Sequence, residues 1–306
     1  MERGETTEVP ALIEHKYDKT TRSVGIVLLC FLLGVAGGCS SATSTGRVTF
    51  NYIDYNRGAS FPSHSDVDII TPAGETRFHD VQLEGKSFFE DNSIIPHAFV
   101  KPLLHGKFGD ALNAFTEPYY GYRFHHFFKS RPEWGFGVEF THLKVSIADR
   151  QQSVSVTGPW PGVSPDGQVI VGDQFAVFDV SHGVNHVALS GVRRWVLLPS
   201  TMAPDGRLQP FVTVGAGPAV PHLELTINQD GEGQRKAYSY NLRRGNWGLE
   251  SGTGLRWKIS PHFGAYGEYK WSYSILNNMR FDNGEEGRVR MRFSSHHLMW
   301  GLSYGF

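Results

Sequence analysis

The chain of 306 residues carries 29 Lys and Arg against 30 Asp and Glu, a formal charge of −1, whereas a nucleic-acid binder would show a basic excess. Mean hydropathy is −0.29 and 40% of the residues are hydrophobic, which excludes a bundle of membrane helices, since each span needs about 20 mostly apolar residues. A membrane β-barrel stays open because its strands are only half apolar, and 35 glycines with 13% aromatic residues favour β structure.

The first element is the apolar run 24–38, preceded by Lys16, Lys19 and Arg22 and followed by small residues. Fifteen residues is short for a helical span, and the order charged, apolar, small is that of a secretory signal. Residues 1–38 therefore read as an n-region with a signal or anchor segment. Cys39 follows Ala36-Gly37-Gly38, which resembles a lipoprotein signal and implies lipidation at Cys39, although Ala36 stands where a leucine is expected. Cys30 lies inside the apolar run, so a processed chain has no pair of cysteines to join.

From about residue 46 onward, alternation replaces any helical period. Strand blocks fall at 46–62, 76–90 continued at 117–128, 133–149, 178–198, 208–227, 240–259, 262–281 and 287–306. In 262–276, Phe263, Ala265, Tyr269, Trp271, Tyr273 and Ile275 oppose Tyr266, Glu268, Lys270, Ser272 and Ser274. In 244–259, Trp247, Leu249, Leu255, Trp257 and Ile259 oppose Arg244, Asn246, Glu250, Arg256 and Lys258. One face is greasy and the other carries both signs of charge. The blocks run to 10–20 residues, long for a globular strand and sufficient to span a bilayer, which needs about 9–11.

Eight strands, an even number, predict an all-β fold: a closed antiparallel up-and-down transmembrane barrel over 39–306 with both termini in the periplasm. Lys129-Ser130-Arg131-Pro132, Pro204-Asp205-Gly206 and Ser260-Pro261 supply turns on the periplasmic side, while 150–177, 228–239 and 282–287 make longer outer connections. Residues 91–116 read as an insertion in the second strand. In the last strand Arg288, Arg290 and Arg292 share parity with Leu298, Trp300 and Phe306, and a β-bulge near Ser294-Ser295 would send the two groups to opposite faces.

The ending Leu298 to Phe306, with alternate apolar and aromatic residues, resembles the strand that outer-membrane barrels present to their assembly machinery, and the resemblance implies Phe306 as the contact. Further phrases carry a wider likeness: Glu84-Gly85-Lys86-Ser87-Phe88, Pro118-Tyr119-Tyr120-Gly121, residues 134–142, Gly183-Val184-Asn185-His186, Gln209-Pro210-Phe211 with Gly215-Ala216-Gly217, and Val220-Pro221-His222-Leu223-Glu224. Over residues 46–306 they resemble the outer-membrane barrels of the lipid A oxidase-like, OmpA-like group. That resemblance implies the bacterial outer membrane as location, lipid and lipopolysaccharide as partners and, more weakly, an activity on lipid A.

Parity places Arg123, His125, Glu139, His182, His186, Arg194, Glu250, Arg256, Lys258, Glu268 and Lys270 in the lumen. An eight-stranded barrel is just wide enough for side chains to fill, so a monomeric structural or surface-interaction protein with a paired polar interior is the first expectation, with no cofactor. An enzyme is the alternative. His182 and His186 stand four apart on one strand, with Glu139, Glu84, or His222 and Glu224 as candidate neighbours. Two imidazoles and a carboxylate are the ligand set of non-haem iron, as an oxidase would need. In a deacylase a histidine would act as general base beside Ser181 or Ser190. His296 and His297 point to opposite faces.

Overall fold

In a computed structural model the described residues are 48–85, 119–164, 167–228, 235–237, 245–281 and 286–306. The signal segment 1–38, Cys39 and the insertion 91–116 lie outside them. The elements are β1 (Asn51–Pro62), β2 (Ser65–Thr71), β3 (Gly74–Val81), β4 (Leu83–Gly85), β5 (Tyr119–Phe128), β6 (Arg131–Ile147), β7 (Ser153–Thr157), β8 (Gln168–Ile170), the single turn α1 (Val171–Gln174), β9 (Phe175–Arg194), β10 (Leu208–Pro221), β11 (Glu224–Ile227), β12 (Arg235–Ala237), β13 (Asn246–Lys258), β14 (Phe263–Arg280) and β15 (Arg288–Gly305).

Eight of these pair as neighbours in the order β1-β5-β6-β9-β10-β13-β14-β15, and β1 pairs with β15 from Tyr52↔Gly305 to Pro62↔Ser295, so the row returns on itself as a ring. Every ring pairing is antiparallel. The end holding Asn51 and Phe306 is called the lower end, and the backbones of these two residues bond each other there.

In the second ring strand β4 and β5 run in line beside β6, β4 against Ile147 to Val145 and β5 from Leu143 downward, so 83–85 is continued at 119–128 as the sequence reading has it, whereas residues 76–81 leave this position and form β3 of the upper extension. β2 instead resumes the place of β1 beside the upper part of β15, and β3, β7 and β8 extend from it. The stretch 150–177, read as a loop, holds the β7–β8 hairpin. The reason is visible in composition: Val67, Ile69, Phe78, Val154 and Val156 alternate with polar residues as well as any ring strand does, and all five are buried.

The last strand needs no bulge. Burial alternates without a break along β15, with Val289, Met291, Phe293, Ser295, His297, Met299 and Ser303 inward. The register shift falls on its partner, between Leu276 and Met279 of β14. Arg288, Arg290 and Arg292 therefore share the outward face with Leu298 and Leu302, which is permitted if the outer surroundings change from apolar to aqueous along the strand.

The interior is layered. The upper half is one apolar core in which Val67, Phe78, Val145, Phe178, Leu276, Met291 and Phe293 pack together. The lower half is polar. Outside, large apolar side chains are left exposed, among them Leu189, Val214, Trp247, Leu249, Trp257, Leu298 and Leu302. Phe293 is 1% exposed while Leu302 is 64% exposed. Truncating a buried Phe costs about 3–5 kcal/mol, so Phe293→Ala should lower unfolding stability in detergent micelles by about that amount and Leu302→Ala by much less, as urea titration will show.

Candidate functional site

Alternation along the ring strands turns four buried carboxylates, Asp54, Glu139, Glu250 and Glu268, toward five buried cations, Arg123, Arg194, Arg256, Lys258 and Lys270, and the turn before β10 adds a fifth carboxylate, Asp205. Arg123 on β5 forks onto Glu139 of its register partner on β6, Nε at 2.9 Å and Nη2 at 3.1 Å, and reaches Glu268 at 2.7 Å. Lys270 bridges Glu139 and Glu250. Lower down, Arg256 donates to Asp54 at 2.7 Å and to Ser303, while its guanidinium lies 4.1 Å from the Tyr52 ring centre. At the floor, Asp205 accepts from Tyr52, Lys258, Arg194 and Gln209.

Charges withdrawn from water are tolerated only when paired and hydrogen-bonded, and bidentate Arg–carboxylate geometry is the strongest available pairing. Two of the anions, Asp54 and Asp205, are not among the lumen residues that parity predicts. Asp205 sits in Pro204-Asp205-Gly206, which has the composition of an ordinary turn; nothing in it signals that the turn folds back and buries its carboxylate under the ring. Asp54 belongs to a strand whose alternation would have placed it inward.

The sequence-selected histidines fall as follows. His186 is buried on β9 and its Nδ1 lies 3.4 Å from Glu250. Glu139 is held by Arg123 and Lys270. The pairing of β6 with β9 shifts register beyond Leu143, and Gly183 has φ of +84°, so His182 and His186 are not joined by a plain strand; the side chains of Ser181 and His182 lie outside the described residues. Ser190 is buried inside the ring, Glu84 accepts from Ser146, and His222 is buried beyond the end of β10. His297 turns inward to Ser272 at 2.8 Å, and His296 turns outward to Tyr269. Among the described residues no three His, Cys, Asp or Glu are grouped so as to hold a metal ion. An iron site on His182, His186 and Glu139 does not fit the described part of this set, because Glu139 is already committed to two cations.

Between the charged network and the apolar core lies a cavity of about 10 Å³ lined by Thr141, His186, Glu250, Lys270, Ser272 and His297. That is the space of roughly one water, too small for a sugar or an acyl chain.

A second group faces outward. Arg57, Tyr120, His142 and Asn185 are successive register partners across β1, β5, β6 and β9. Arg57 and His142 are buried, His142 Nδ1 and Asn185 Oδ1 are 2.9 Å apart, and the Tyr120 ring stacks on His142 with centres 4.7 Å apart. Parity alone would have found this row: His142 shares its face with Phe136, Val138 and Phe140.

No protein-family model matches the sequence, and no curated protein matches it. Solved structures do resemble it. Neisserial surface protein A matches at 9% identity and TM-score 0.34, over 84% of this chain and 97% of that one. OprG from Pseudomonas aeruginosa, an outer membrane protein, matches at 13% and 0.37 over 86% and 99%. The outer membrane protease OmpT from Escherichia coli matches at 8% and 0.38 over 87% and 99%. Identities and scores this low carry no activity to this chain.

Two outcomes follow from the charges. Removing one member of a buried pair costs about 3–5 kcal/mol, so Glu139→Gln should destabilise the fold strongly, and adding Lys270→Met to it should cost less than the two single changes summed; urea titration of the four variants measures the coupling. On the upper extension, partial burial pushes the Asp68 carboxyl up, but hydrogen bonds and charge from Arg77 and Arg290 outweigh it and hold the group below its ordinary value. Its contribution is therefore complete above the unfolded aspartate pKa of about 3.9 and is lost as pH falls through the lower folded value. Proteolysis of the β2–β3 hairpin should rise below that pH in the native chain, and Asp68→Asn should flatten the dependence.

Proposed function

We propose that the chain is an integral β-barrel of the bacterial outer membrane, with a polar, side-chain-filled lumen and a structural or surface-interaction role. The observation that carries this is the inversion of faces: the ring shows Trp247, Leu249, Leu298 and Leu302 outward and keeps five cations against five carboxylates inside. A soluble ring would do the reverse, and a lipid-facing one must do this. The paired lower interior and the apolar upper core leave no continuous path for solutes, so the barrel is a wall with an outer platform and not a pore. The platform is β2, β3, β7, β8, β11 and β12 with their connections, at the end facing the cell exterior when the termini face the periplasm. Phe306 at the lower end suits recognition by the assembly machinery, and the chain acts as a monomer.

Fractionation tests this reading. The protein should require detergent for extraction and should migrate faster on gels before heating than after; release by high salt alone would contradict it.

The second reading is an enzyme acting on lipid A from the outer leaflet, oxidase-like or deacylase-like. What favours it is the pair His142 and Asn185 beside Tyr120 and Arg57, a buried polar row whose strand parity is that of the outward apolar face, since ionisable groups at membrane depth mark function more often than structure. Mass spectra of lipid A from cells with and without the gene decide it. An unchanged spectrum rules the enzyme out. A mass change abolished by His142→Ala but kept in His186→Ala places the chemistry on the outer face, and the opposite result places it with His182 and His186 as the sequence suggested.

A further inference from the structure

The upper part of the outward face carries charges that no described residue neutralises. Because β15 alternates without interruption, Arg288, Arg290 and Arg292 lie on the face that lower down presents Leu298 and Leu302. Arg280 of β14 stands directly across from Arg288 in register, and like charges directly opposite on a sheet are destabilising. Arg290 is satisfied by Asp68 and Glu75. The other three are not. Among the described residues the side chain of Arg292 bonds the amide oxygen of Asn277, at 3.2 Å, and that of Arg280 the amide oxygen of Asn278, at 3.3 Å. The Nε of Arg288 is buried with no hydrogen-bond partner. Among the described residues no carboxylate lies within ion-pairing distance of Arg280, Arg288 or Arg292.

Arg280 and Arg288 line a crevice of about 500 Å³ together with Ile70, Pro72, Phe281 and Glu286. Its mixed lining, two guanidiniums, one carboxylate and apolar walls, suits a phosphate attached to a sugar better than a bare ion: the guanidinium forks take the phosphate oxygens in pairs, and the carboxylate can accept from a hydroxyl. We infer that Arg280, Arg288 and Arg292 form a binding site for the phosphate groups of a phosphorylated glycolipid of the outer leaflet. The continuity of this face with the lipid-facing band argues for a membrane lipid as the source. Arg292 is the first Arg or Lys above that band on the outward face of β15, with Ile275 of β14 beside it and Tyr273 and Trp271 below, so a headgroup lying on the band meets it without leaving the membrane.

This inference rests on the outer-membrane reading, and the test separates the two. The full chain, purified in zwitterionic detergent and labelled with a fluorophore, is titrated with lipid A, with the same lipid after removal of its phosphates, and with inorganic phosphate. Lipid A should bind the native chain at least about tenfold more tightly than it binds the Arg280→Gln/Arg288→Gln variant or Arg292→Gln, with weakening in salt. The dephosphorylated lipid should bind native chain and variants alike. Equal lipid A affinity in native and variant chains overturns the site, and inorganic phosphate that binds or competes at equal concentration overturns the lipid source. Unchanged heat-dependent migration of the variants shows that they fold. If the native chain is not a membrane protein, extraction without detergent reveals that before any titration; a detergent-requiring chain without the affinity difference rejects the site alone.

Discussion

A ring of eight strands closed by β1 against β15 gives every strand one inside face, and whatever charge that face carries must be neutralised within a space barely wider than the side chains. The near-zero net charge of the chain is the global trace of that constraint. Its local form is the Arg123–Glu139–Lys270–Glu250 chain and the Arg256–Asp54 and Lys258–Asp205 pairs. Each guanidinium or ammonium is set by a strand register, so register, charge and closure hold one another: a slip of one residue would carry every charge to the lipid side.

The second constraint is vertical. Above the cavity beside His186 and His297 the inside becomes apolar and merges with the hairpins of the upper extension, while the outside changes from Leu and Trp to Arg and Asp. The ring thus reverses its polarity pattern about halfway along, which the proposed outer-membrane reading accounts for by lipid around the lower part and water around the upper. Function follows the same division. The lower interior leaves space for roughly one water, and among the outward-facing polar groups Arg280 and Arg292 are exposed whereas Arg57 and His142 are buried.

Much of the fold was legible because strand parity is a local code. Each of the eight ring strands coincides with a block read from alternation, and all the lumen residues inferred from parity whose side chains are described are buried inside the ring. In the second strand only residues 76–81 fall elsewhere, because β3 alternates as well as β5 does and nothing local distinguishes a strand of the upper extension from one of the ring. The bulge assigned to β15 came from assuming that the outward face is apolar throughout. The histidine pair rests on spacing alone, and spacing does not reveal the local irregularity at Gly183, where φ is +84° and the pairing of β6 with β9 shifts register. Asp205 was hidden by a turn sequence that says nothing about where the turn goes.

The most direct test of the account is an accessibility scan of β13, with each position from 246 to 258 replaced in turn by a labelled cysteine in the cysteine-free chain reconstituted in lipid vesicles. Brominated lipid should quench the label with a period of two, strongly at Trp247, Leu249, Leu255 and Trp257 and weakly at Asn246, Glu250, Arg256 and Lys258. A scan without that period, or with its maxima on the charged positions, would contradict the inverted ring on which everything else depends.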